Sequence, residues 1–461
     1  MKKISRNKDM LNIIAFPDMS SDLEIVIKDA ILKKCETHTK FREVKYKFYF
    51  KWFSLSTYYL MIKSVMFCLI NYRNEEKIAS YEIDGINLGI PIYSATYRSF
   101  KVYDNKLYLF YRVLMQFILA TRVYINSLDI VSLAHYVYIK DISYRNNILF
   151  DICSKNNIKI FFFTYPYSLV CYHGAKLTSR EIPKYEYPRL KFSTIEYDAY
   201  MKGRLQNPKK FISYYSPGSS NKVLSINESE NLSVLIYAHS FTDAQLARGY
   251  DGFVNVYDWI EYTIDNLLTK NIEIILKGHP NFWDEGFIAD VVKWDQKLWK
   301  KLIDKYGAFK NVTFIEFPID NVELLNQLDV QKTIVITHHG NAIVEAAYLG
   351  YRSVSSDCSI WGNDYYSFGM TWGSRLEYKK ILENLDKVDP INNERLRNFV
   401  FDKYMNKHGF HGPYFWQHIL AKSAGISRKD LSKNPSLVTI NNLENYDDTV
   451  TNLADNIKDV Y

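Results

Sequence analysis

Glycine and proline are scarce: Gly 18 and Pro 12 in 461 residues leave little room for collagen-like, linker-rich or glycine-rich repeat architectures. The five cysteines, Cys35, Cys68, Cys153, Cys171 and Cys358, are odd in number, far apart and without a CxxC. They suggest neither a disulfide framework nor a zinc knuckle, and they favour a reducing, cytoplasmic compartment. Lys+Arg 58 against Asp+Glu 51 gives a net charge of +7, spread along the chain without the dense basic stripe of a nucleic-acid binder. Nucleic acid is therefore not an expected partner, whereas an anionic small substrate or an anionic membrane face is. No apolar run reaches the ~20 residues of a membrane span. Tyr58 to Ile70 is interrupted by Lys63, and Leu107 to Ala120 by Arg112; both read as core helices, with membrane-surface contact as the alternative. The basic start MKKISRNKDM is followed by no apolar h-region, so export is not expected.

Familiar catalytic motifs are missing too. The chain has no GxxxxGK[ST], no GxGxxG after a strand, no GxSxG and no HExxH, which removes the obvious ATPase, dehydrogenase, serine hydrolase and metalloprotease readings. There is also no Asp pair at i, i+2, the device by which many transferases hold a sugar diphosphate through a metal. No metal and no cofactor are expected.

What the chain has is apolar and aromatic mass: 47% hydrophobic, with Tyr 38, Phe 27 and Trp 8. That is enough for more than one core, and two domains are expected. The second half alternates short apolar strands with amphipathic helices. The strands are Ser233–Tyr237, Ile272–Leu276, Val312–Glu316, Thr333–Thr337 and Arg352–Ser355; the helices include one around Trp259 to Leu268 and one from Asn341 to Leu349. This pattern predicts a parallel sheet covered on both faces. The first half is less regular, with expected strands at Asp129–Leu133 and Ile158–Phe163 and expected helices at Leu107–Asn126 and Tyr144–Lys155. Turn chemistry at Tyr214–Lys222 marks the link between the halves. The expected boundaries are 1–222, 223–425 and a polar, partly disordered tail at 426–461.

Six of the ten histidines, His135, His173, His239, His279, His338 and His339, fall near expected strand ends, where open α/β sheets bind ligands. Three segments concentrate them. In Tyr237-Ala-His-Ser-Phe-Thr-Asp243, His239, Ser240 and Asp243 supply donors and a carboxylate, although Ser240 or Asp243 capping a turn is an equal reading. In Leu276-Lys-Gly-His-Pro280, Lys277 adds a cation, Gly278 lets backbone approach a ligand, and His279 can hydrogen-bond a phosphate oxygen. In the segment Thr337 to Gly350, His338 and His339 precede Gly340 and a helix starting at Asn341, whose N–H groups and dipole would face a phosphate. Glu345 lies one turn further, where it reaches a sugar hydroxyl or is simply a solvated first-turn carboxylate.

At YAHSFTDA, ILKGHP and VITHHGNAIVEAAYLGYRSV the sequence resembles bacterial capsular or surface-polysaccharide biosynthesis proteins, which look like inverting GT-B glycosyltransferases. Lys-Gly-His-Pro is also similar to the His-Pro motif of bacterial sialyltransferases and Kdo-type transferases. The resemblance implies two Rossmann-like domains with parallel sheets facing across a cleft. It implies His279 as the contact or acid at the phosphate of a CMP-activated sugar, and His339, Gly340 and Asn341 as a second phosphate-binding element. More loosely, Asp84-Gly-Ile-Asn-Leu-Gly89, Tyr93, Arg98, His135 to Tyr138 and Arg145 resemble acceptor-domain elements of that group, with Asp84 and His135 as candidate bases and Arg98, Tyr138 and Arg145 as acceptor contacts. Where relatives carry acidic residues this chain has Ile90 and Ser94. The expected activity is sugar transfer from a nucleotide sugar to a lipid-linked or oligosaccharide acceptor, in the cytoplasm or peripherally on the inner membrane face. The aromatic run Tyr46 to Phe53, with Trp52, is the expected membrane-facing surface. Two rivals are a CDP-polyol phosphotransferase of teichoic-acid type and a non-catalytic assembly protein on a degenerate transferase scaffold.

Overall fold

The computed structural model describes residues 12–17, 21–36, 41–46, 55–99, 101–139, 145–164, 168–172, 193–206, 231–241, 246, 249–279, 282, 289–317, 319–362, 366–405, 414–426 and 437–460. The expected Tyr214–Lys222 linker, His173, Asp243, Pro280, Trp52 and Phe53 lie outside these residues. Two compact units form, the first from Met1–Ala95, Phe110–Pro183 and Asn406–Tyr461, the second from Thr96–Leu109 and Lys184–Met405.

The first unit holds β1 (Asn12–Pro17), β2 (Phe41–Tyr46), a small hairpin of β3 (Glu82–Ile83) and β4 (Ile86–Asn87), then β5 (Tyr136–Ile139), β6 (Lys159–Thr164) and β7 (Ser168–Tyr172). Its six-stranded sheet has the order β14-β7-β6-β5-β1-β2, in which β14 is Lys458–Val460. All neighbours are parallel except β6 and β7. Only residues 165–167 connect that pair, far fewer than a parallel crossover requires. The expected strand Asp129–Leu133 is instead the end of a helix over Lys106–Leu133. That segment contains no glycine or proline, and Val113, Phe117, Ala120, Tyr124, Ser127 and Val131 continue one buried stripe to its end, so nothing stops the helix earlier. By length and composition this helix is long and apolar enough to cross a membrane, and half of its most apolar window is buried inside the protein.

Residues 437–460, within the expected polar tail, are folded into the first unit. The Tyr446–Asp455 helix packs on the Asp22–Glu36 helix, with the Tyr446 hydroxyl donating to Asp29 Oδ2 at 2.5 Å, and β14 adds to the sheet edge beside β7. Leu443, Val450, Leu453, Ala454 and Ile457 are buried in the first unit's core. They form an apolar stripe at helical spacing among polar residues, enough to order the segment.

The second unit carries β8 (Ser233–Tyr237), β9 (Glu273–Lys277), β10 (Val312–Ile315), β11 (Thr333–Thr337), β12 (Arg352–Ser356) and β13 (Met370–Trp372), all parallel in the order β10-β9-β8-β11-β12-β13. Both faces are covered, which is why the strands read as unbroken apolar runs. Val234, Ile236, Ile274, Leu276, Ile334 and Ile336 face a core containing Trp259, Trp372 and Tyr378. Leu235, Tyr237, Ile275 and Val335 face the other side, against Ile343, Val344 and Ala347. The class is the expected one: α/β, two Rossmann-like units with mainly parallel sheets. Strand order in the second sheet reverses between β8 and β11, and ligands of such sheets bind outside the carboxyl ends at that point.

Candidate active site

Parallel register builds the centre of the site. Tyr237 pairs with Thr337 on one side and with Lys277 on the other. Two residues past each of those positions stand His339, His239 and His279, so the lattice of the sheet sets three imidazoles in a row. Ring centroids lie 4.0 Å apart for His239 and His339, and 5.1 Å apart for His239 and His279. The row flanks the topological switch. Burial, then the charges of His239 and Lys277, push His279 well below the ordinary histidine range; at neutral pH it is an uncharged ring able to donate one N–H.

Lys277 lies one step below the row. It is buried, and desolvation lowers its amine to about 8, with Glu345 and Asp320 working the other way. Its Nζ lies 5.7 Å from the centre of the Tyr237 ring. The Tyr237 hydroxyl donates to Asn321 Oδ1, and Asn321 Nδ2 donates to Glu345 Oε2 at 2.9 Å. Glu345 is buried, and its Oε1 receives Arg204 Nε at 2.8 Å and a terminal Arg204 nitrogen at 2.7 Å. Burial opposes the Arg204 charge, yet Glu345 holds the guanidinium above its ordinary value. Glu345 is thus no solvated first-turn carboxylate: both oxygens serve a buried network beneath Lys277.

Other expected contacts have partners within the fold. Ser240 Oγ donates to Asp295 Oδ2 at 2.6 Å and Phe241 N donates to Asp295 Oδ1 at 3.0 Å, pinning the loop after β8 to the Ala289–Tyr306 helix. A Cβ on Gly278 would stand 3.0 Å from the Phe282 ring, so this glycine accommodates an aromatic neighbour. The Gly340 N–H donates to Thr337 Oγ1 at 3.0 Å, and Asn341 Oδ1 accepts from the Tyr404 hydroxyl at 3.4 Å. The Ala342–Tyr348 helix has only seven residues. The expected phosphate cradle of Gly340 and Asn341 is therefore tied into the chain itself, because a threonine at the strand end reaches the turn.

His338 stands apart from the row. It is buried at the edges of two indoles, Trp259 at 5.8 Å and Trp372 at 6.1 Å between ring centres. Its Nε2 lies 3.0 Å from Asp251 Oδ2, and its Nδ1 lies 2.8 Å from His339 Nδ1. No sequence motif marks Asp251. It sits between Gly249 and Gly252, whose φ angles of +137° and +101° suit glycine alone, and a Cβ on Gly252 would meet Arg375 N at 2.3 Å. Burial raises the Asp251 carboxyl, but His338, the Ser356 hydroxyl and the Phe253 N–H outweigh it and hold the group below its ordinary value.

In the first unit, Asp84 is the first central residue of the β3–β4 turn, with φ +51° followed by Gly85 at +70°. This is the two-residue Asp-Gly hairpin, which needs positive φ at both places. Asp84 Oδ2 accepts from the Tyr124 hydroxyl at 2.7 Å. His135 precedes β5 rather than following a strand, and its Nδ1 accepts from the Ile13 N–H at 3.2 Å. It lies at the amino end of the sheet, away from where ligands bind, and the expected strand-end position fails because Asp129–Leu133 is helical. Tyr138 is buried in the first core against Phe16, and Arg145 precedes the Asn146–Lys155 helix, its guanidinium lowered by burial and by Arg112. Exposed Arg98 belongs to the second unit, so the expected acceptor contacts divide between the two. Ile90, Tyr93 and Ser94 are buried in the Gly89–Thr96 helix.

No family model matches the chain, and no curated protein matches it. Among solved structures, the KpsC beta Kdo 2,4 transferase of Thermosulfurimonas dismutans is similar at 14% identity and TM-score 0.35, over 59% of this chain and 80% of that one. A UDP-forming trehalose-phosphate synthase of Burkholderia xenovorans is similar at 8% identity and TM-score 0.30, over 84% and 94%. The UDP-GlcNAc 2-epimerase of Methanocaldococcus jannaschii is similar at 11% and 0.24, over 85% and 98%. Likenesses this remote decide nothing about chemistry, which has to come from the chain's own side chains.

Proposed function

We propose that this protein is a GT-B-type glycosyltransferase that moves a sugar from a nucleotide donor to a growing surface glycan. The observation that carries the reading is the row of His339, His239 and His279 at the switch point of the second sheet, with the Lys277 cation directly beneath. A departing nucleotide phosphate needs donors aimed at it and positive charge near it. Neutral His279 donates its ring N–H to a phosphate oxygen, His239 borders the same space, and Lys277 supplies charge from a site of low dielectric. No metal is required for those contacts. Lys-Gly-His-Pro favours a CMP-linked donor, and direct displacement by an acceptor hydroxyl inverts the anomeric centre.

A lipid-linked acceptor at the inner face of the membrane belongs to the same proposal. The Leu55–Asn71 helix supports it: Leu55, Tyr58, Tyr59, Ile62, Met66, Leu69 and Ile70 are exposed, whereas Thr57, Ser64 and Cys68 face inward. The test is transfer and donor hydrolysis by purified protein across a panel of nucleotide sugars, wild type against His279→Ala. The expected result is turnover with one donor class and a loss of about 100-fold in kcat in the variant, the usual scale for one oxyanion-stabilising donor. Unchanged turnover in the variant rejects the role of His279; absence of turnover with every donor rejects the activity.

A further inference from the structure

The first unit has a switch point of its own. From β1 its strand order runs to β2 on one side and to β5 and β6 on the other, so the carboxyl end of β5 is a place where such sheets bind ligands. Arg145, the first described residue beyond that end, leads the ten-residue Asn146–Lys155 helix, and its side chain does not cap it. Two tethers bring a second arginine to the same level. The Tyr124 hydroxyl donates to Asp84 Oδ2 at 2.7 Å, and the Lys155 amine donates to the Asp84 backbone carbonyl. Arg112 and Arg145 precede those tethers on their own helices, by about 18 and 15 Å of helix length. Burial and then the charge of Arg112 lower the Arg145 guanidinium.

Both arginines are half-buried, and among the described residues no carboxylate forms an ion pair with either. Arg112 donates from one terminal nitrogen to the Ala95 carbonyl at 3.4 Å, while its Nε is buried without a hydrogen-bond partner. Three neighbours in the chain are in the same state: Ser94 Oγ beside Ala95, Gln116 Oε1 one turn along from Arg112, and Asn147 Oδ1 in the first turn after Arg145. Ser94, Gln116 and Asn147 are 5%, 4% and 3% exposed. Like charges brought together out of water, among polar groups without partners, are unfavourable until an anion joins them.

We infer that Arg112 and Arg145 form an oxyanion site in the first unit, with the Ser94 hydroxyl and the start of the Asn146–Lys155 helix as further donors. Arginine forks match the paired oxygens of a carboxylate or a phosphate, and a helix start favours negative charge. The Gln116 and Asn147 amide oxygens are acceptors, which suit hydroxyl groups next to the anion. The ligand class is therefore an acidic sugar. That it belongs to the glycan acceptor rests on the transferase reading above; the oxyanion site does not.

Calorimetric titration of the full chain with glucuronic acid, glucose 1-phosphate and glucose tests the site and tells carboxylate from phosphate. At least one of the acids should bind saturably, about 10-fold or more tighter than glucose, and Arg112→Gln and Arg145→Gln should each weaken it about 10-fold or more, the scale of one charge-assisted contact. Arg145→Lys keeps the charge and loses the fork, so it should fold and bind with intermediate affinity. Lys277→Met, a change in the second unit, should leave that affinity within about twofold, because additivity holds for separate sites. Binding of neither acid, binding no tighter than glucose, or unchanged affinity in the folded arginine variants overturns the inference. An acid that binds as expected to a protein that turns over no nucleotide sugar upholds the oxyanion site and rejects the transferase reading.

Discussion

Lys277 carries opposed consequences for stability and for binding. Its amine, lowered by burial from 10.5 to about 8, binds fewer protons in the folded chain than in the unfolded one between those values. Stability therefore rises as pH climbs from about 8 to 10.5, and below about 8 the fold bears the full cost of a buried cation. Lys277→Met should raise the melting temperature at pH 7, by roughly 1–3 kcal/mol of stability if the shift is recovered, and should weaken binding of a nucleotide sugar. In the wild type, donor affinity should fall as pH rises through about 8, where the charge is lost, and calorimetry at pH 7 and pH 9 should show the Met variant insensitive to that change. A variant as tight as the wild type, with the same pH dependence, would show that Lys277 is only a packed stem.

Among the elements, the Thr194–Gln206 helix is fastened to the Ala342–Tyr348 helix through the buried Arg204–Glu345 pair. Removing one partner leaves an uncompensated buried charge, so Glu345→Ala should cost about 3–5 kcal/mol by denaturant unfolding, with Arg204→Met, Glu345→Met losing much less. The Leu55–Asn71 helix is built the other way round from most surface helices, its inward Ser64 sharing hydrogen bonds of 2.7 Å with Tyr81 and 2.8 Å with Thr121. Ile62→Ser, Met66→Ser and Ile70→Ser together should reduce recovery on anionic vesicles several-fold without altering nucleotide binding, in keeping with apolar area lost from an interfacial helix. Equal recovery would assign that face to another partner. These elements were unequally legible. Strands β8 and β11 stand where the apolar runs placed them to the residue, because runs buried on both faces have sharp polar ends. The end of the Lys106–Leu133 helix did not, because Asp-Ile-Val-Ser-Leu suits either state until tertiary packing decides.

At the scale of the whole molecule, the first unit is assembled from three separate stretches and depends on the last of them. Ending the chain at Asn445 would remove the Tyr446–Asp455 helix and β14, exposing Val26, Ile27, Ala30 and Ile31 of the Asp22–Glu36 helix, which share a core with them. Such a truncation should lower the melting temperature of the first unit and raise its protease sensitivity; an unaltered melt would make the segment an ornament. Sequence alone misses this return because short-range patterning says nothing about which sheet a late strand joins. The candidate site was legible in the same measure. Lys277, His239, His279 and His339 could be found from strand ends, and equal spacing past three paired strands was the signal that aligned them. Asp251 and Asp295 could not, since they reach the site from loop and helix positions that only tertiary structure brings near. Asp84 stands in a hairpin Asp-Gly turn and His135 leads a strand, and in one dimension both look like strand-end positions. The central claim is that the histidine row above Lys277 holds a nucleotide sugar, and calorimetric titration of the full chain with CMP- and UDP-linked sugars tests it most directly. Saturable binding of one donor class at a single site, weakened about 10-fold or more by His279→Ala, is the predicted result; no binding of either class, or binding indifferent to His279 and Lys277, would contradict it.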